Sequence, residues 1–149
     1  RLTKSTIDFV EQVEIPEYYS DPITDRGDPT KTWERKSKWW KMTVKSSITP
    51  HSIARIKQFR ENLEAKGATL VISLPVIYSK TDEKTVKNVE KTAQELSKIA
   101  PLIYDKKSLN LKTDSNLFAD THYHLKPEVR VIRSKELIEQ LQPIINSPN

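Results

Sequence analysis

Cysteine is absent from this 149-residue chain. Disulfides, thiolate metal sites and a thiol nucleophile are therefore excluded. Glycine is nearly absent as well, with Gly27 and Gly67 the only two. A Gly-rich phosphate loop needs several glycines so that backbone N–H groups can approach the phosphates, and that class of site is excluded too. No apolar run approaches the ~20 residues of a membrane-spanning helix. The sequence opens at Arg1 with no methionine and no signal-like segment, which reads as a processed chain or a fragment.

Apolar residues make up 36% of the chain and charged residues 30%. That balance suits a modest core, and one domain or part of one. The net charge is +5, but the lysines are scattered among glutamates. They read as a solvated surface, and no nucleic-acid partner is expected.

The pattern divides near Thr49. Residues 1–48 form an irregular arm, with turn chemistry at Ile15-Pro16, Asp21-Pro22 and Asp25 to Pro29. Trp33, Trp39 and Trp40 stand among basic residues in its second half. They can stack on bases or sugars, but packing of the arm onto a core is favoured because tryptophan buries a large area.

Residues 49–149 alternate helix and strand. Thr49-Pro50 is a helix start, followed by Ile53, Ile56, Phe59 and Leu63 at helical spacing, with Gly67 in the left-handed closing position. Ala68 to Leu74 is a nearly continuous apolar run and reads as a strand buried on both faces of a parallel sheet. Val86, Val89, Ala93 and Leu96 predict a second amphipathic helix over about Asp82 to Lys98. Pro101 to Asp105 is a short strand, and a polar loop runs from Lys106 to Asn116. Lys126-Pro127-Glu128 opens a last helix, with Val129, Ile132, Leu137 and Leu141 on one side and Pro143 as its stop. Strands alternating with helices in this way predict an α/β sheet, with sites at the carboxyl ends of its strands.

The chemistry is concentrated in Asp120-Thr121-His122-Tyr123-His124, which holds two of the three histidines. Such residues can be structural, capping a helix or bonding nearby backbone. They can also ligate a metal: His122 and His124 point to one side if the segment is extended, with Asp120 beside them. His51 is the only other histidine, so further ligands are few, and no metal is expected. The third reading is acid–base. A histidine can take a proton from a serine hydroxyl and return it to a leaving group, while an aspartate orients the ring. Asp120 and His124 lie on one short turn, close enough for that pairing.

Residues from about Gly67 to Leu141 resemble the C-terminal half of SGNH/GDSL-type hydrolases. The last block of one branch reads D-T-x-Y-H-L-N-x-x-G-x-x-x-R-T. Asp120, Thr121, Tyr123, His124, Leu125 and Arg133 match it, and Ser134 stands for the threonine. Lys126 and Val129 depart from its asparagine and glycine. Lys66 to Pro75 resembles the family's strand segment, and Ile23 to Asp28 its earlier N-x-x-G-D turn. Nothing matches the Gly-Asp-Ser nucleophile turn or the oxyanion-hole blocks, and Gly27-Asp28 is followed by Pro29.

The resemblance implies a three-layer α/β/α sandwich with a parallel sheet, present only in part. It implies hydrolysis or transfer of an ester or acyl group through an acyl-serine intermediate, with no cofactor. His124 is then the base and later the acid, Asp120 orients it, and the serine lies upstream of this chain, which should be inactive alone. The implied substrate is a small acylated or carbohydrate-linked ester, and an extracytoplasmic setting is left open. The rival expectation, from another class, is a non-catalytic binding or assembly module that keeps the fold.

Overall fold

The computed structural model of the chain describes residues 41–146. The three tryptophans, the Gly27-Asp28 turn and most of the arm lie outside these residues. The elements in order are α1 (Pro50–Glu64), β1 (Ile72–Ser73), β2 (Ile77–Tyr78), α2 (Glu83–Ser97), β3 (Leu102–Ile103), β4 (Leu111–Lys112), a 3-10 turn (Ser115–Leu117) and α3 (Pro127–Ile145). β1 pairs with β3 and β2 with β4, both parallel. The chain is therefore a mixed α/β structure with short parallel strand pairs. Among the described residues no helix is long and apolar enough to cross a membrane.

The first two helices follow their local chemistry. The Thr49 hydroxyl accepts from the Ser52 N–H at 3.2 Å and caps α1. At its other end Ala68 N–H reaches Leu63 C=O, Gly67 N–H reaches Glu64 C=O, and Gly67 sits at φ 73°. That pair of bonds is a Schellman closure, which requires a left-handed residue. Ile53 and Ile56 pack on the core, while Phe59, expected with them, is exposed. Arg60 lies one residue closer to the packed side and donates to Ile99 C=O at 2.9 Å. The Asp82 carboxylate caps α2 by accepting from Thr85 N–H at 3.0 Å, and Val89, Ala93 and Leu96 are buried beneath it.

Three expectations are corrected. The Ala68 to Leu74 run forms a strand only at Ile72–Ser73, and only Leu74 is buried. Ladder partners decide this length, because β1 meets β3 over two residues alone. Pro143 lies inside α3 rather than ending it. Proline holds a helical φ, so the helix passes through it at the cost of one backbone bond, that to the Glu139 carbonyl near the helix end. Ile132 is exposed, and α3 has no fully buried residue.

Leu74, Val89, Ala93, Leu96, Ile99 and Leu111 form the core. Residues 42–48, the end of the arm, run along α2. Thr85, Asn88 and Thr92, one polar stripe of that helix, bond the backbone of Val44 and Ile48 at 2.8–3.3 Å. The Ser79 hydroxyl donates to Met42 C=O at 2.7 Å, and Met42 extends the β2–β4 pair as a parallel bridge.

Candidate active site

The Asp120 to His124 segment is a closed turn. Phe118 bridges Leu125 in antiparallel fashion, Ala119 N–H donates to His124 C=O at 2.8 Å, and Lys126 N–H donates to Leu117 C=O at 3.0 Å. Phe118 and Ala119 are buried and anchor one side of the turn. Inside it the Thr121 hydroxyl accepts from both Tyr123 N–H and His124 N–H, at 3.2 and 3.0 Å. A threonine serving two successive amides in this way holds the backbone in a tight local bend.

The bend is docked on β2. Tyr78 uses its N–H to reach His122 C=O at 2.8 Å. Its ring lies 5.6 Å from Phe118 and 6.0 Å from the His122 ring, nearly parallel to the latter at 21°. The site thus stands beside the carboxyl end of β2. It does not directly follow the Leu102 strand: β4 and the 3-10 turn lie between, inside the segment expected to be a polar loop.

The turn brings Asp120 and His124 together. His124 Nδ1 lies 2.7 Å from Asp120 Oδ1. The aspartate side chain is 6% exposed and the histidine side chain 46%. A carboxylate only accepts, so in the neutral ring Nδ1 carries the proton and Nε2 keeps its lone pair. His122 does not share this arrangement. The expectation that the two rings lie on one side assumed an extended segment, and the Thr121 turn replaces the two-residue alternation that argument needs. Among the described residues no group of three His, Cys, Asp or Glu side chains is placed to hold a metal.

Two residues near the strand ends carried no signal in the sequence. Asn110 is buried, at φ 57°, and its side chain joins two strand ends: Nδ2 donates to Leu74 C=O at 2.7 Å, and Oδ1 accepts from Asp105 N–H at 2.9 Å. Ser73 is the last residue of β1, and its hydroxyl lies 3.4 Å from the Arg133 guanidinium, which also pairs with Glu136 at 3.2 Å. Arg133 therefore ties α3 to the end of β1.

Comparison with known proteins adds no relative. No protein-family model, curated protein or solved structure matches this chain.

Proposed function

We propose that this chain carries the acid–base half of an ester or acyl-group hydrolase or transferase of SGNH type, within a three-layer α/β/α sandwich. The observation that supports the reading is the buried Asp120 carboxylate 2.7 Å from Nδ1 of a half-exposed His124. That polarity suits a base: the buried partner fixes the tautomer, and the open nitrogen meets the reactant. Nε2 takes the proton of a serine hydroxyl as its oxygen bonds to the acyl carbon. The proton then passes to the leaving group as the acyl–oxygen bond breaks. Water repeats the sequence and frees the serine. Among the described residues the His124 ring bonds Asp120 alone, so the serine comes from elsewhere. The substrate is a small acylated ester, carbohydrate-linked esters included.

The test is turnover of p-nitrophenyl acetate by the intact protein. His124→Ala is expected to lower the rate by about three to six powers of ten, the range seen when a triad base is removed. His122→Ala, whose ring stacks on Tyr78, is expected to cost far less. The reverse order of effects would assign the base to His122. Full activity in both variants, each folded by circular dichroism, would overturn the acid–base reading itself, and no turnover by the unaltered intact protein would leave the non-catalytic binding module as the reading.

A further inference from the structure

Two hollows adjoin along α3, with Val76, Lys112 and Glu136 lining both. The first, about 480 Å³, opens past the end of β3 among Tyr104, Lys106 and Lys107. The second, about 200 Å³, is walled by Leu117, Leu125, Val129 and Ile132. One end of the groove is thus basic and the other apolar. The carboxylates in it are already engaged. Asp105 accepts from Ser108 Oγ at 2.6 Å and from Lys107 N–H at 2.9 Å, and Glu136 pairs with Arg133. Among the described residues no ion pair engages Lys106, Lys107 or Lys112. Lys106 and Lys107 thus line the hollow with no ion pair among the described residues, while Lys112 acts through space on the Asp105 carboxylate.

We propose that this groove binds a free amphiphile, with its anionic head at Lys106, Lys107 and Lys112 and its acyl or alkyl chain over Leu117, Leu125, Val129 and Ile132. Charge complementarity selects the head, and the apolar wall selects the chain. A cavity of ~150 Å³ holds a six-carbon ring, so the apolar end takes a chain of about eight carbons. Its wall includes Leu125, the residue after His124. The inference rests on the acyl-transfer reading to the extent that this ligand is its acyl-bearing substrate. The binding itself needs no catalysis.

The experiment is a calorimetric titration of the 149-residue chain with octyl phosphate below its micellar concentration, beside inorganic phosphate and 1-octanol. Octyl phosphate should bind at least about tenfold more tightly than either, since head and chain each add affinity. Lys106→Glu with Lys107→Glu should weaken it by about tenfold or more, as should Ile132→Glu, all three being exposed positions that the fold tolerates. Lys80→Glu, an exposed lysine outside the groove, should not. Inorganic phosphate binding as tightly as octyl phosphate, an equal loss in Lys80→Glu, or no loss in Ile132→Glu would each overturn the proposal. His124→Ala should bind octyl phosphate like the unaltered chain. Binding in a protein without esterase activity would sink the catalytic reading alone, and esterase activity without binding would sink this inference alone.

Discussion

At the scale of single residues, the turn and the strand ends depend on a few polar side chains. Asp120 and His124 were legible because their spacing suits one short turn. The different surroundings of the His122 and His124 rings were not, because they follow from Thr121 capping two amides and from the Tyr78 ring beside His122. Asn110 was invisible for a different reason: its partners, Leu74 and Asp105, belong to the ends of two different strands. Asn110→Ala is expected to destabilise the chain by about 2–4 kcal/mol, because it leaves the Leu74 carbonyl with only the 3.4 Å contact from Ser73 Oγ and removes the partner of the Asp105 N–H. Urea unfolding checks this. A change below about 0.5 kcal/mol, the level of an ordinary surface substitution, would show that water replaces both bonds.

At the scale of elements, helices and strands differed in how far they could be read. α1 and α2 carry their own start signals, Thr49-Pro50 and Asp82, and α1 its stop at Gly67, so their limits fall within a few residues of expectation. β2 and β4 have two residues each and show no periodicity. Leu111–Lys112 is a strand only because Ile77–Tyr78 lies beside it. Gly67 offers a test of local chemistry. A Cβ there would meet nothing within 4 Å, so Gly67→Ala changes only the backbone cost of φ 73°. The substitution should destabilise by about 1–2 kcal/mol. Gly67→Asn should recover part of that loss, because asparagine tolerates the left-handed region. Equal thermal midpoints for all three chains would mean that the closure contributes nothing.

At the scale of the whole molecule, three carboxyl groups link stability to pH in one direction. The Thr85 N–H holds Asp82 below its ordinary value of 3.8, the Ser108 hydroxyl does the same for Asp105, and the Lys98 ammonium holds Glu95 below its ordinary 4.5. A depressed carboxyl favours the fold once the unfolded chain would also be ionised. Its contribution is complete above those ordinary values and is lost as pH falls through the lower folded ones. Urea midpoints should therefore be insensitive to these groups from neutrality to about pH 5 and should fall below about pH 4. Asp82→Asn with Asp105→Asn keeps acceptors in both turns but removes two titrations, so its acid decline should be shallower. An identical decline would place the acid sensitivity in other groups.

What the sequence determined by itself was local and short in range: the helix caps, the Gly67 closure, the apolar face of α2 and the proximity of Asp120 to His124. Each depends on residues within about one or two turns of one another, where backbone geometry dictates contact. Tertiary structure decided the rest. It paired β2 with β4, laid residues 42–48 along the Thr85–Asn88–Thr92 stripe, and joined two strand ends through Asn110. It also buried Asp120 while leaving His124 half open. Those outcomes turn on partners distant in the chain, such as Val44 and Thr85, 41 residues apart. A contact of that kind forms only when packing has already brought its two sides together.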